Sequence, residues 1–428
     1  MPEIYPTRKA LLTGILAFLF FTMQALGIYS PYTGIGASLL TGVLAASMAM
    51  AERASMAVYR VNVERRVPQR LAEGIPAKVE LAVCNNSSED LIVSVEDQVP
   101  ERLRALEKEV EMRLGPGECK KGYYRVRPAP GYHSYPSLLI EARDPLGMFA
   151  SWRKLKRPSS ISVYPLSLGE YWVSHAGLQG RGEPLYSTWK GGGLEFYQLR
   201  DYVPGDDVRF ISWSATARLG SPIVWEGMSQ VSPHVSLLVD LSLESWPGTP
   251  GEAPADWIMR TAVAIAEIVE AGGGTLRYGI LLGETWEEGF LSGEYMAEAL
   301  RRRLSLAGPS NVKRRVKLGT LIDRLSHGEP GRPLILLLGP GQSYNSLAEA
   351  LSGVNTHCVI AVLYTPTGSG KVDAAIRLAE ERYYKANVDN LRRAGSRPYL
   401  VTSRGAAVEV ARYLWEILQE PSCRAGYF

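Results

Sequence analysis

The chain has little net charge and few cysteines or histidines. Its 428 residues carry a net charge of only +3, with no stripe of alternating basic and aromatic residues, so nucleic acid is not an expected partner. The five histidines lie in no metal-ligand spacing. The four cysteines, which show no C-x-x-C spacing, are Cys84, Cys119, Cys358 and Cys423. They are therefore interpreted as reduced, small core or surface residues.

The chain also lacks a complete phosphate-binding loop. The nearest sequence is T-P-T-G-S-G-K-V at residues 365–372. Thr365 stands where the first glycine is required, and Val372 replaces the hydroxyl that would bind Mg²⁺. We therefore expect no nucleotide site there.

Two long apolar segments stand near the N-terminus. Residues 10–29 and 34–51 contain no charged side chain, and Pro31 lies in the short connection between them. A bilayer core of about 30 Å needs roughly 20 apolar residues, and the small residues of the second segment favour close helix packing. A cleaved signal peptide is the alternative for the first segment, but two successive spans favour a retained hairpin within residues 1–55.

The flanking charges predict the orientation of this hairpin. Arg8 and Lys9 precede the first span and Arg53 and Arg60 follow the second, whereas the connection has no positive charge. The positive-inside rule then places both termini in the cytoplasm, in a multi-pass protein of the cell membrane. In that reducing compartment we expect free cysteines, while a Cys84–Cys119 disulfide is the alternative for an extracellular body.

Residues 56–165 have the pattern of a β-sandwich. Short runs such as 77–83 and 91–95 alternate apolar and polar residues, and turn residues such as Asn85-Asn86 and Gly115-Pro116-Gly117 separate them. Period-two alternation between turns is typical of antiparallel strands. We expect an all-β sandwich domain here.

Residues 166–231 contain a dense group of charged, aromatic and turn residues. Pro204-Gly205 is a turn dipeptide, and the arginines nearby alternate with acidic residues. Two interpretations remain open: a partly buried network of Arg-carboxylate pairs, which we favour, or a surface that binds an anion or a protein partner. The candidate residues are Glu195, Arg200, Tyr202, Pro204, Gly205, Asp206, Asp207, Arg209, Trp213 and Arg218.

This segment resembles the signature of the family called domain of unknown function 58, which runs G-x-E-F-x-x-L-R-x-Y-x-P-G-D-D-x-R-x-I-x-W-x-x-x-A-R. The D-P-L-G-M-F sequence at 144–149 and V-Y-P at 163–165 also resemble elements of that family, although Pro130 stands where many relatives have arginine. Relatives are often encoded beside a MoxR-type AAA+ ATPase. The resemblance thus implies such an ATPase as a protein partner.

Residues 232–428 predict an α/β domain with a parallel sheet between helices. Apolar runs at 235–239, 276–282 and 334–338 read as buried strands, and helical spacing lies between them. We expect a Rossmann-like sheet resembling von Willebrand factor A domains, with its functional edge at the strand C-termini.

One strand end resembles the metal-binding motif of von Willebrand A domains. Asp240, Ser242 and Glu244 follow the first strand and offer oxygen ligands that suit Mg²⁺. Gly339-Pro340 stands where such domains carry an aspartate, and Thr285 is the only nearby threonine. We therefore favour a strand-end turn, without a bound ion, over a Mg²⁺ site.

Together these patterns predict a multidomain, membrane-anchored scaffold that binds protein partners and is not an enzyme. A metal-dependent hydrolase using Asp240, Asp206 and Asp207 is the alternative. No nucleophile-base pair or complete metal shell can be assembled from the sequence to support it.

Overall fold

The computed structural model describes residues 4–27, 31–167, 190–228, 233–282, 285–309, 318–326, 332–340, 344–354, 358–365, 374–401, 406–418 and 423. Contacts divide the chain into two units, Met1–Val163 and Tyr164–Phe428. Most of the phosphate-loop-like sequence, at 366–372, lies outside the described residues.

The first unit begins with two apolar helices. Helix α1 spans Arg8–Ala25 and helix α2 spans Pro31–Ala57. Both are long and apolar enough to cross a membrane. Pro31 lies at the start of α2, where proline is well tolerated because its missing N–H has no helical acceptor. Helix α2 therefore begins earlier and ends later than the predicted span at 34–51.

The described residues of the first unit form nine strands, eight of which lie in the region predicted to be β-rich. They are β1 (Ile4–Pro6), β2 (Val61–Arg66), β3 (Arg70–Ala72), β4 (Ala77–Asn85), β5 (Leu91–Asp97), β6 (Glu109–Leu114), β7 (Cys119–Val126), β8 (Gly131–Arg143) and β9 (Phe149–Tyr164). One sheet has the order β1-β9-β8-β5-β6 with β3 also paired to β9, and a second sheet has the order β2-β4-β7.

The two sheets share one hydrophobic core. Val63, Val79 and Leu81 come from the smaller sheet, and Val93 and Ile140 come from the larger one. Every second residue of β4 is buried, because successive side chains of a strand point to opposite faces. Burial of these apolar side chains between the two antiparallel sheets stabilises this unit.

Strand β1 is an element that the sequence pattern did not reveal. Its residues Ile4–Pro6 immediately precede α1 and pair antiparallel with Phe149–Ser151 of β9. A three-residue strand is too short to show an alternation of its own. Residues 4–6, just before the first apolar helix, are thus part of the larger sheet.

The cysteines are paired, so the expectation of free thiols is wrong. Disulfides join Cys84 to Cys119 and Cys358 to Cys423. The antiparallel register of β4 and β7 places Cys84 directly opposite Cys119. A separation of 35 residues in sequence hides this proximity, which only strand pairing creates.

The first described strands of the second unit form a small hairpin that contains most of the signature. Strand β10 (Lys190–Asp201) pairs antiparallel with β11 (Ile223–Met228), and helix α3 (Trp213–Leu219) lies in the connection. Ser212 caps α3, since its hydroxyl accepts a hydrogen bond from the Ala215 amide, and Gly220 ends the helix with a positive φ.

The rest of this unit is a six-stranded sheet with helices. The strands are β12 (His234–Asp240), β13 (Thr275–Leu282), β14 (Thr285–Ser292), β15 (Leu334–Leu338), β16 (Val359–Tyr364) and β17 (Ser396–Val401). The helices are α4 (Pro254–Ala271), α5 (Met296–Leu304), α6 (Leu318–Ser326), α7 (Tyr344–Ser352), α8 (Ala374–Arg393) and α9 (Ala406–Leu418).

This sheet is covered on both faces, as expected for parallel strands. Its order is β14-β13-β12-β15-β16-β17, and only the edge strand β14 runs antiparallel. Leu237 and Val239 pack in one core with α4, α5 and α9, whereas Leu238 packs in another with α6, α7 and α8. The continuous apolar strands therefore reflect two-sided burial.

Candidate functional site

The Pro204-Gly205 dipeptide forms the predicted turn in the signature. The Asp206 amide donates to the Val203 carbonyl at 3.0 Å, and Gly205 has φ of +114°. Proline followed by a residue with positive φ is the arrangement of a type II turn. Tyr202 closes the turn on the other side, because its amide donates to the Pro222 carbonyl.

Arg200 and Asp206 form the main ion pair of the signature. The two guanidinium nitrogens of Arg200 donate to the two carboxylate oxygens of Asp206 at 2.7 and 2.8 Å. Asp206 also accepts the Val203 amide at 2.8 Å. The Arg200 guanidinium lowers the pKa of Asp206 to about 2, and the Val203 amide acts in the same direction. This geometry agrees with the structural interpretation of these charges.

Asp207 and Arg209 form a second pair, which is on the surface. Asp207 accepts both the amide and the guanidinium of Arg209, the closest contact being 2.7 Å, and the pair lowers the pKa of Asp207. However, 84% of the Arg209 side chain is exposed. The expectation that this pair is partly buried is therefore wrong for Arg209, since nothing covers its guanidinium within the described residues.

The remaining signature residues lie apart from these pairs. Arg218 is exposed in the last turn of α3, and Trp213 is 71% exposed at its first turn. Glu195 pairs with Met228 through the backbone of β10, and its side chain lies outside the described residues. The structure thus brings Arg200, Asp206 and the turn together and leaves Trp213 facing solvent.

The hairpin also exposes large apolar side chains, which we call the signature surface. Its members are Leu199, Val203, Val208, Phe210, Trp213 and Leu219. They are between 40% and 71% exposed, although Phe210 also stacks on Trp225 with ring centroids 6.2 Å apart. All six lie within residues 199–219, and exposed apolar surface of this kind is typical of binding sites. Only Trp213 among them was a candidate residue from the sequence.

Asp240 ends β12 at the point where the order of the parallel strands reverses. It is fully buried, and its carboxylate accepts the Ser242 amide at 3.0 Å and the Gly339 amide at 3.1 Å. Asp240 therefore links the C-terminal ends of β12 and β15. This is the arrangement of a strand-end turn extended to a neighbouring strand.

The donor set around Asp240 does not fit Mg²⁺. Both carboxylate oxygens of Asp240 already accept backbone amides, and Glu244 lies in the following helical turn. A Cβ atom at Gly339 would lie 1.8 Å from the Ser245 hydroxyl, so an aspartate cannot occupy this position without rearrangement. Among the described residues, no three His, Cys, Asp or Glu side chains are grouped to hold an ion.

Ser242, unlike Asp240, has a side chain without a hydrogen-bond partner among the described residues. Its hydroxyl is buried. Ser245 instead donates to the Asp240 carbonyl at 3.3 Å. Buried hydroxyls are usually paired, so the Ser242 hydroxyl is a candidate contact for a ligand or partner.

Comparison of the sequence with known families identifies the signature region. The family described as Protein of unknown function DUF58 matches residues 198–363, which include the Pro204-Gly205 turn, both ion pairs and Asp240. The chain belongs to the DUF58 family over this stretch. No curated protein matches the sequence of this DUF58 chain.

Two solved structures show distant similarity to the DUF58 chain. An α-2-macroglobulin from Escherichia coli has 17% identity and a TM-score of 0.20, covering 36% of this chain and 21% of its own. The CARDB domain of a Pyrococcus furiosus protein has 17% identity and a TM-score of 0.17, covering 24% of this chain and 86% of its own. This chain thus spans a minor part of the macroglobulin, and such scores assign neither fold nor activity.

Proposed function

We propose that this DUF58 chain is a non-enzymatic, membrane-anchored scaffold that binds protein partners through the signature surface. The observation that carries the proposal is the contrast within the hairpin. Its acidic residues Asp206 and Asp207 pair with its own arginines, whereas its large apolar side chains are exposed. Exposed aromatic residues supply much of the energy in protein interfaces, so Trp213 is the expected anchor.

The same contacts weigh against the metal-dependent hydrolase. Asp206, Asp207 and Asp240, the carboxylates that it would use, accept hydrogen bonds from the protein itself. Within the described residues, no group of three His, Cys, Asp or Glu side chains that could hold a metal ion forms around them. We therefore retain the scaffold as the single proposed function.

The sheet topology supports a von Willebrand A-like domain as part of this scaffold. Five parallel strands with one antiparallel edge strand, and a reversal of order between β12 and β15, give a doubly wound sheet. Ligands of such sheets bind beside the strand C-termini at the reversal. The buried hydroxyl of Ser242 lies at this point and is a second place for a partner contact.

A MoxR-type AAA+ ATPase is the proposed partner. This part of the proposal comes from the resemblance of the signature to its family and from the occurrence of such ATPases beside relatives. An apolar surface next to exposed Arg209 and Arg218 would suit a partner with an apolar patch and an acidic rim.

We further propose that the hairpin α1–α2 crosses the membrane with the body in the cytoplasm. Arg8, Lys9, Arg53 and Arg60 flank the two helices on that side. The opposite orientation is favoured by one observation, the two disulfides, which persist mainly in oxidising compartments.

A photo-crosslinking experiment tests the scaffold. A crosslinking amino acid replaces Trp213 in the full chain, and adducts formed in native membranes are identified by mass spectrometry. The matched control is Phe290 of β14, an aromatic residue that is also more than half exposed in the same unit. We expect an AAA+ ATPase to be captured at position 213 and not at position 290.

Two outcomes would contradict the proposal. Equal capture of the ATPase at both positions would show that the signature surface has no special role. Recovery of metabolic enzymes without an ATPase would instead favour an activity in a small-molecule pathway.

A further inference from the structure

The D-P-L-G-M-F turn at residues 144–149 is bound to both apolar helices. Asp144 is fully buried, and its carboxylate accepts the Ser47 hydroxyl at 2.7 Å, the Leu146 amide at 3.0 Å and the Phe149 amide at 2.7 Å. Thr7, which precedes α1, donates its amide to the Met148 carbonyl and its hydroxyl to the Gly147 carbonyl, each at 2.8 Å. The turn therefore connects the start of α1 to the middle of α2.

These bonds determine the depth of the turn relative to the helices. Helix α1 has 18 residues, so its far end lies about 27 Å from Thr7 at 1.5 Å per residue. Along α2, Ser47 lies about 24 Å from Pro31. Both distances are close to the bilayer core of about 30 Å, so the turn lies about one core thickness from the connection between the helices.

The surface of the turn suits the headgroup region. Pro145 is exposed and Leu146 is 46% exposed, and the Lys9 ammonium lies beside Gly147. Apolar side chains next to a lysine that can reach lipid phosphates are typical of membrane interfaces. An open cleft of about 570 Å³ lies at the same level, lined by apolar residues including Leu44, Met48 and Phe149.

We propose that the 144–149 turn is a third membrane contact, with Pro145 and Leu146 inserted among the lipid headgroups where α1 begins. The contact rests on the proposed membrane crossing of α1 and α2. It holds the sandwich in one orientation on the bilayer, and α2 leaves the hydrocarbon near Ser47, so its last ten residues lie outside the core.

Lipid quenching of a fluorophore tests this contact. Leu146→Cys in the full chain is labelled with the polarity-sensitive dye NBD and reconstituted into phosphatidylcholine–phosphatidylglycerol vesicles that contain lipids with a nitroxide quencher near the headgroup. We expect the label at 146 to lose most of its fluorescence. Pro145→Cys, labelled in the same way, should give the same loss without altering Leu146. The unsubstituted chain measures background labelling, since all four native cysteines are disulfide-bonded.

The matched control is Leu106→Cys, at an apolar position that is 91% exposed. Backbone hydrogen bonds join residues 102–104 to residues 127–129, just before the start of β8. The 144–149 turn follows the other end of β8, and the 13 residues of this strand separate position 106 from the turn by about 40 Å. A label at 106 should keep its fluorescence. Leu12→Cys, exposed on α1, is the positive control with a quencher placed deeper in the acyl chains.

The outcomes separate this contact from the membrane anchor itself. If the chain floats with the vesicles and position 12 is quenched while positions 145 and 146 are not, the turn contact is wrong and the anchor stands. A label at 146 shielded from both water and lipid would indicate a protein contact and would also overturn the proposal. A chain that does not float with vesicles would refute the anchor and, with it, the third contact.

Discussion

At the scale of single residues, Asp97 and Arg65 form a fully buried ion pair in the first unit. The Asp97 carboxylate accepts two guanidinium nitrogens of Arg65, at 2.6 and 2.7 Å, and the Tyr124 hydroxyl at 2.6 Å. Arg65 is equally buried and also donates to the Ser137 carbonyl. Such a pair is costly to bury, and it is most costly when one partner is removed.

We therefore expect Asp97→Ala to lower the free energy of unfolding by about 3–5 kcal/mol, because the Arg65 charge is left buried without a counterion. Denaturant unfolding measures the change. The double variant Arg65→Met, Asp97→Leu should lose much less, since both charges are removed together.

The neighbouring pair provides a control. Glu64 and Arg66 point to the other face of β2 and form an exposed contact at 3.1 Å. We expect Glu64→Ala to change the unfolding free energy by less than about 1 kcal/mol. A similar cost for Glu64→Ala and Asp97→Ala would show that burial of the Arg65–Asp97 pair does not matter.

His133 makes the stability of the first unit depend on pH. Burial lowers its pKa to about 4, and the charge of Arg102 acts in the same direction. Below the ordinary pKa of 6.5, the unfolded chain gains a proton that the folded chain does not bind, so stability falls as the pH drops from about 6.5 to 4. The loss at pH 4 should reach about 3 kcal/mol.

The prediction is checked by melting His133→Gln across this pH range. Glutamine can still donate to the Ala129 carbonyl, which His133 contacts at 2.8 Å, but it does not titrate. The variant should lose less stability between pH 7 and pH 4 than the native chain. Parallel pH curves for the two proteins would contradict the role of His133.

At the scale of elements, the signature hairpin separates folding from binding. Arg200→Ala removes the partner of both Asp206 oxygens and should lower the melting temperature and weaken partner capture. Arg209→Ala removes an exposed guanidinium and should leave the melting temperature nearly unchanged. Trp213→Ser should reduce capture without affecting melting, since the indole is exposed.

These three variants are compared by differential scanning fluorimetry and by crosslinking at an unaltered position of the signature surface. Equal melting temperatures for Arg200→Ala and the native chain would show that the Arg200–Asp206 pair does not hold the turn. A large drop in the melting temperature of Arg209→Ala would instead support the interpretation of a partly buried network of ion pairs.

The end of β12 provides a test of metal binding. An ion held there would raise the unfolding free energy by about 2.7 kcal/mol at a Mg²⁺ concentration one hundred times its dissociation constant. We expect no such rise, because the Asp240 carboxylate is engaged by the amides of Ser242 and Gly339. A rise in melting temperature that Ser242→Ala abolishes would show that the hydroxyl of Ser242 is a ligand.

At the scale of the whole molecule, the proposed orientation in the membrane determines the environment of the disulfides. If the body lies in the cytoplasm, as the positive-inside rule predicts from the flanking charges, protease added to sealed cells should cleave none of the chain after Tyr59. Cleavage of the body would place it, with both disulfides, on the oxidising side.

Thiol labelling of the denatured chain under non-reducing conditions complements the protease experiment. Protection of all four cysteines is expected from the structure. Protected cysteines in a protease-resistant body would mean that the disulfides persist in a reducing compartment, where burial shields the Cys358–Cys423 bond. Labelled cysteines would show that the disulfides are absent from the native chain.

The sequence by itself determined the elements whose signals are local. Apolar runs of near-membrane length produced α1 and α2, alternation produced strands such as β4, and Pro204-Gly205 produced the turn of the signature. Each depends on residues that are close along the chain, so spacing alone is sufficient. The DUF58 assignment likewise follows from a contiguous motif.

Only the tertiary structure decided which distant residues meet. Strand register joined Cys84 to Cys119, and the packing of the two sheets joined Arg65 to Asp97. The parallel sheet brought the Gly339 amide to Asp240. The tertiary structure also paired β1 with β9 and bonded Ser47 to Asp144. The sequence alone also could not predict the exposure of the signature surface. Whether Val208 or Leu219 is covered depends on elements far away in sequence. Local sequence patterns do not encode these long-range contacts, because the contacts form only when the hydrophobic cores assemble.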